Sequence, residues 1–254
     1  VVLLTKLERS MMNQLKVGCC GFSKGRKKYS EQFKLVEIQQ TFYKPPLVAT
    51  AQKWRKEVPE DFEFSLKAWQ EITHLPSSPT YRKAGLQVPA GKESDYGFFK
   101  PSEEVFEAWG KTRDIAQVFK AKVIVFQCQA KFTPITENIE NMRYFFTNID
   151  RGDFIFAWEP RGEWSDDVIL ALCQDLDLVH CVDPLESKAA YGPRIKYGVK
   201  YFRLHGGRDY RHQYSDDELA RLRELSNGEA YVLFNNITMY DDALRFKRLM
   251  QSDK

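Results

Sequence analysis

Along the chain, Glu37, Lys67, Gln127, Glu159, Asp183, Arg203, His205 and Asn235 lie in, or at the end of, short runs rich in β-branched and aromatic residues. Brought together, such groups support three kinds of chemistry. Glu159 with His205 or Lys67 makes a general acid–base pair, its proton affinities set by burial and by mutual charge. Arg203, His205 and Lys67 can hold an anion, while Glu37, Glu159 and Asp183 handle protons. Arg161, in "WEPRGEW", follows Glu159 closely enough to orient it or to join the anion clamp. Two glutamates, an aspartate and a histidine also suit manganese, magnesium or zinc. Lys67 and Arg203 on the same ring would repel a cation, however, and no HxH, HExxH or paired-cysteine pattern occurs, so neither a metal nor another cofactor is predicted. The bland alternative is a plug, in which Lys67 or Arg203 ties Glu37 and Glu159 together, because a buried charge must be paired.

The elements that must position these groups can be read from periodicity. Eight runs have strand character: 15–20, 36–40, 62–67, 122–127, 154–159, 178–183, 201–205 and 231–235. Between them run helical stripes, such as Val105, Trp109, Ala116 and Phe119, or Leu219, Leu222 and Leu225. Ser215 with Glu218 predicts a capping box, and Ser165 before Asp166 and Asp167 predicts a second helix start. Strand alternating with helix predicts an α/β fold, either a closed (β/α)8 barrel or an open doubly wound sheet. Alternation within the strands favours the barrel. One face carries Glu37, Lys67, Gln127, Glu159, Asp183, Arg203, His205 and Asn235; the other carries Phe64, Leu66, Ile124, Phe126, Phe156, Trp158, Phe202 and Leu204. Central strands of an open sheet would be apolar on both faces. The expectation is therefore a single TIM-type barrel over 15–254, with the polar groups at the carboxyl mouth, where barrel enzymes work.

One connection breaks the rhythm. Residues 70–101, after the third strand, are rich in proline and glycine with no clear period, which predicts a long loop over the mouth carrying His74, Tyr81, Arg82 and Lys83. It reads equally as a lid or as an insertion without a role. The stretch "HGGRDYRHQY" after the seventh strand offers Gly206 and Gly207 for close backbone approach to an anion, or else a solvated loop. "KGRKK" at 24–28 and the adjacent Cys19 and Cys20 read as a solvated loop and as buried structural thiols, ahead of a phosphate grip and a nucleophile.

Composition narrows the setting. With net charge +3 the chain lacks the concentrated basic excess of a nucleic-acid coat protein. Five cysteines without CxxC spacing suit a reduced, cytoplasmic interior better than a disulfide framework. No apolar run approaches a membrane span, so no membrane partner is expected. Residues 1–14 read as an N-terminal extension in which Met11 or Met12 offers a natural start.

The ordered series "VGCCGFS", "VEIQQTFYKPP", "PEDFEFSLKAWQEITH", "DYGFFKP", "VIVFQ", "WEPRGEW", "HCVDP", "YFRLHG" and "YVLFNN" resembles the domain of unknown function 72 family (YecE-like), in particular its archaeal-type branch, from about Lys16 to Leu249. The resemblance implies a barrel of the kind read above. Its recurrent polar positions fall on Glu37, Lys67, His74, Gln127, Glu159, Arg161, Asp183, Arg203, His205, Asn235 and Asn236, and Gln39 stands where many members carry asparagine. The leading expectation is an enzyme acting on a phosphorylated or otherwise anionic small molecule. Its rival is a metal-assisted phosphodiesterase on nucleic acid, with Glu37, Glu159, Asp183 and His205 as ligands. A third class is a non-catalytic ligand- or partner-binding barrel. Oligomeric state is left open by the sequence.

Overall fold

The computed structural model describes residues 15–186 and 198–251. The expected extension over 1–14 lies outside these residues. Eight parallel strands close into one barrel in sequence order: β1 (Leu15–Cys19), β2 (Leu35–Ile38), β3 (Glu63–Lys67), β4 (Val123–Gln127), β5 (Ile155–Glu159), β6 (Val179–Val182), β7 (Lys200–Leu204) and β8 (Ala230–Phe234). The ring is sealed where β1 pairs with β8, Val17 opposite Val232 and Cys19 opposite Phe234. The second strand ends at Ile38, short of the predicted 36–40, because Gln40 starts a one-turn helix, α2 (Gln40–Tyr43).

Helices return the chain along the outside. They are α1 (Arg26–Gln32), α3 (Val48–Lys56), α6 (Glu103–Phe119), α7 (Thr136–Asn148), α8 (Asp166–Leu176), α9 (Asp216–Leu225) and α10 (Met239–Leu249). Their starts follow the local chemistry. Ser102 accepts from the Val105 amide, and Ser215 and Glu218 form the predicted capping box. At Ser165 the helix begins as expected, but the side chain makes no cap bond. Asp166 and Asp167 are left to complement the positive end of α8.

Two apolar layers result, as the alternation requires. Outward-facing Phe64, Ile124, Phe126, Phe156, Trp158, Phe202 and Phe234 pack against the helices in the main core. Around Phe126 the aromatic rings meet edge to face, 5.0 Å from Phe146 and 5.2 Å from Phe156. Inward-facing Leu35, Val123, Val125, Ala157, Cys181, Tyr231 and Leu233 fill the barrel itself. At its amino end Lys16 bridges Glu63 at 2.8 Å and the Tyr231 hydroxyl at 2.9 Å.

The connection over 70–101 is not a structureless loop. It folds as α4 (Gln70–Thr73), α5 (Pro79–Ala84) and a 3-10 turn at Glu93–Asp95. The helix α5 has its own signals: Ser78 caps it, Pro79 occupies the first turn, and Gly85 ends it in the left-handed region at φ 65°. Too short for a periodic stripe, it is held by packing, with Tyr81 buried and its hydroxyl donating to the His74 carbonyl at 3.1 Å. The return limb is pinned to α4 by bonds from the Gly97 amide to Glu71 O and from the Phe99 amide to Ile72 O, both 2.9 Å.

Gly97 has φ +76°, and a Cβ there would lie 2.4 Å from the His74 carbonyl oxygen, whereas Gly91, at φ +83°, faces open space. Gly97→Ala should therefore cost about 1–3 kcal/mol, and Gly91→Ala no more than about 1 kcal/mol. Urea unfolding of both variants checks the order.

Candidate active site at the barrel mouth

The polar faces of the strands converge as the alternation predicts, and their centre is Arg203. Its guanidinium lies inside the barrel, 1% exposed. One nitrogen lies 3.0 Å from Glu37 Oε1 on β2, and another is bonded to Glu159 Oε2 on β5. The planar fork of arginine is suited to holding two carboxylates at once. Glu37 is further satisfied by Gln39 and by the Tyr201 hydroxyl, which donates to Oε2 at 2.8 Å. Ser65 Oγ stands 2.8 Å from the same phenol oxygen and can supply its own proton there. Tyr201 was not among the expected site residues, although it shares a face with Arg203 two positions on.

Above Arg203 stands a second pair. His205 Nε2 is 2.8 Å from Glu159 Oε1, and Asn235 Nδ2 is 3.2 Å from His205 Nδ1. Nε2 also has a guanidinium nitrogen of Arg161 at 2.7 Å, so it faces a donor and the Glu159 acceptor at once, while the Asn235 amide N–H points at Nδ1. Arg161, from the loop after β5, brings a guanidinium nitrogen to 2.7 Å from Glu159 Oε1, with its side chain 33% exposed. Burial opposes charge on Glu159, but Arg203, Arg161 and His205 outweigh it and hold the carboxyl well below the ordinary carboxylate range.

Lys67 ends β3 on the same face. It is buried, its amine bonds the Gln127 side-chain carbonyl, and it lies 3.8 Å over the Phe42 ring. Burial and the nearby Arg203 charge pull its pKa down to about 7, against the opposing pull of Glu37 and Glu159. His74 is buried close by, 2.8 Å from Thr73 Oγ1 and edge-on to Phe42 at 4.9 Å. Burial and Lys67 push its pKa to about 3, so it is neutral and does not act as a cation for an anion.

Three expected groups serve other ends. Asp183 reaches the mouth, but its oxygens accept the His205 amide at 2.7 Å and the Leu185 amide at 3.1 Å. Those bonds tie the turn after β6 to the start of the turn after β7, while burial raises the carboxyl's pKa in spite of them. Asn236 points the other way, since neighbouring residues of an extended segment face opposite sides. It donates to His212 O at 2.8 Å and Asp242 at 2.6 Å, tying the loops to α10. The expected anion cradle at Gly206 and Gly207 is also engaged: their amides go to the Tyr214 hydroxyl at 2.8 Å and to Glu186 at 2.6 Å. In the "KGRKK" loop, Arg26 pairs with Glu57 at 2.7 Å and stacks on Trp54 at 4.3 Å. Burial raises the thiol of Cys19 to about 12 and that of Cys20 well above its ordinary value, and all five cysteines are free.

A metal would need the lone pairs that Arg203 occupies on Glu37 and Glu159 and that two amides occupy on Asp183. Among the described residues no group of three or more His, Cys, Asp and Glu side chains is placed to hold one. No described helix is long and apolar enough to cross a membrane.

Two outcomes follow from the charge pairing. Arg203→Met leaves Glu37 and Glu159 buried without their main partner, so unfolding at pH 7 should be easier by about 3–5 kcal/mol. The native pKa of Glu159 is depressed, so its stabilisation is present above the unfolded value of about 4.3 and is lost as pH falls towards the native one. The deficit of the variant should shrink below about pH 4. Lys67 has the same sense in a higher pH window. The unfolded chain keeps that proton to about pH 10.4, whereas the native amine releases it near 7. Relative to Lys67→Met, the wild type should therefore gain stability steadily between about pH 7 and 10, read from urea midpoints.

Comparison with known proteins agrees with this architecture. The curated Bacillus subtilis protein "UPF0759 protein YunF" is 24% identical over 258 residues, covering 88% of this chain and 84% of its own length. A DUF72 family protein from Enterococcus faecalis superposes with a TM-score of 0.69 at 21% identity, over 94% of this chain and 98% of that one. D-psicose 3-epimerase, solved in the presence of D-fructose, shares the barrel at a TM-score of 0.57 and 10% identity, over 94% and 98% of the two chains. The model of the family described as "Protein of unknown function DUF72" matches residues 22–254, and with its motifs distributed around the whole barrel the chain belongs to that family.

Proposed function

We propose that this barrel is an enzyme acting on an anionic small molecule, phosphorylated or carboxylated, bound at the carboxyl mouth. One observation carries the reading: a partly exposed guanidinium, Arg161, stands beside a buried histidine–glutamate pair, Glu159 and His205. Arg161 is a cation that solvent, and hence a ligand, can reach, whereas Arg203 is enclosed. An anion bound to Arg161 is held next to the His205 ring, a proton carrier that Glu159 and Arg161 both contact at Nε2. Asn235 and Asp183 orient the imidazole, the first through its side chain and the second through the backbone of His205. Gln127, opposite Glu159 in the pairing of β4 with β5, adds a neutral acceptor to the same rim. Together these groups can move a proton on a bound anion without a metal in that role. The likeness in fold to D-psicose 3-epimerase makes sugar phosphates the first compounds to try.

Isothermal titration with inorganic phosphate and fructose 6-phosphate tests this. Saturable binding is expected, weakened roughly tenfold or more in Arg161→Gln, as for loss of a hydrogen bond to a charged group. Glu159→Gln should keep most of the affinity and lose turnover. Metal-dependent cleavage of DNA, with affinity falling steeply as salt rises, would instead establish the nucleic-acid reading. Tight anion binding with no turnover of any compound would leave a binding barrel.

A further inference from the structure

Lys67 is the ionisable group at the mouth that the proposed proton transfer does not use. It projects inward from the carboxyl end of β3 and is 6% exposed. Its amine has one hydrogen-bonding partner among the described residues, the neutral carbonyl of Gln127, and no carboxylate within ion-pair reach. Phe42 covers one side, and Gln127, only partly buried, stands on the other. The charged and titratable groups acting on it come from four strands: Arg203 on β7, Glu37 on β2, Glu159 on β5, and Cys20 just beyond β1. His74, in the connection after β3, feels Lys67 in turn but is itself neutral. Arg203 is committed to Glu37 and Glu159, so the carboxylates that would ordinarily keep a lysine protonated are spent on another cation. The amine is thus held next to a fixed positive charge in a dry site, the arrangement that frees a lysine lone pair near neutral pH. The thiols are no competitors, because burial keeps Cys19 and Cys20 protonated.

We infer that Lys67 is an amine nucleophile and that the substrate is a carbonyl compound, an aldehyde, ketone or 2-oxo acid, captured at the mouth as an imine. The inference rests on the reading of the mouth as an anion-binding enzyme site and adds the substrate's reacting group, a carbonyl joined to the phosphate or carboxylate that Arg161 holds. The incoming carbonyl displaces Gln127 from the amine. The nitrogen lone pair forms the N–C bond, the C=O π pair moves onto oxygen, and that oxygen takes a proton as the nitrogen gives one up. The C–O bond of the carbinolamine then breaks, a second proton on the oxygen lets it leave as water, and the nitrogen lone pair closes the C=N bond. His205, which Glu159 contacts at Nε2, relays these protons, and the net proton that leaves with the water is taken from solvent at the mouth. No oxidant or reductant enters. Once formed, the iminium acidifies the neighbouring C–H, the chemistry needed for epimerisation, aldol cleavage or decarboxylation.

The test is borohydride trapping on the intact protein. Wild type is incubated with pyruvate, glyceraldehyde 3-phosphate or dihydroxyacetone phosphate and sodium cyanoborohydride at pH 7, then mapped by peptide mass spectrometry. One reduced adduct on Lys67 is expected, forming roughly tenfold or more faster than on exposed lysines such as Lys111. Lys67→Arg and Lys67→Met should abolish it. Graded methylation of the wild type with formaldehyde, which needs neither variant nor anion, should show Lys67 outpacing Lys111 through pH 6–8. If Lys67 lags behind Lys111 with every carbonyl, the inference is wrong, even if phosphate still binds Arg161. If neutral formaldehyde labels Lys67 preferentially but no phosphate binds, the amine stands and the anion reading is what fails.

Discussion

The site depends on one buried cation. Arg203 enters the barrel among apolar side chains and is stable there because Glu37 and Glu159 meet it from two other strands. Taking a charge out of water is costly, and only good geometry with saturated lone pairs recovers that cost. The saturation extends outward: Tyr201 and Gln39 complete Glu37, and His205 and Arg161 complete Glu159. Strand closure is what brings these groups together, since Glu37, Glu159 and Arg203 are far apart in the chain. The fold and the charge network thus require each other.

Such a network sets the properties of its neighbours. With both glutamates committed to Arg203, Lys67 is left beside a positive charge with a neutral amide as partner. With Arg161 at the solvent edge, the interior charges are balanced while one guanidinium still faces outward. A plug and a site are consequently not alternatives here. The lower part, Arg203 with Glu37 and Tyr201, is a sealed structural bridge, and the upper part, Arg161, Glu159, His205 and Lys67, is the part we propose as the site. Glu159 belongs to both, which is why its charge is so firmly fixed.

The loops at the mouth show how a βα connection stabilises itself while carrying functional groups. Asp183 ties the turn after β6 to the start of the turn after β7 through two backbone amides. Asn236 and Asp242 fasten the turn after β8 to α10. The connection after β3 buries Tyr81 and Phe99 and anchors Gly97 on His74. It is a packed wall of the mouth, in which His74 has a structural contact with Phe42 and no free charge.

Much of this was legible in the sequence. Strand alternation has a period of two, so a polar residue two positions from another must share its face; that alone assigned Glu37, Lys67, Gln127, Glu159, Asp183, Arg203, His205 and Asn235 to the inside of a barrel. Capping chemistry is equally local, and it placed the start of α9 at Ser215. The sequence could not say which inward group pairs with which, because partners come from strands distant in the chain and depend on register and rotamer. Hence Arg203, not Lys67, became the bridge between Glu37 and Glu159, Asp183 was taken by amides, and Tyr201, on the same face, was not counted among the site residues. The short helix α5 was missed for a related reason: one and a half turns carry no period, and burial of Tyr81 against the wall is what makes it fold. Local rules determined which faces are polar; closure of the barrel decided which charges are cancelled and which remain available for chemistry.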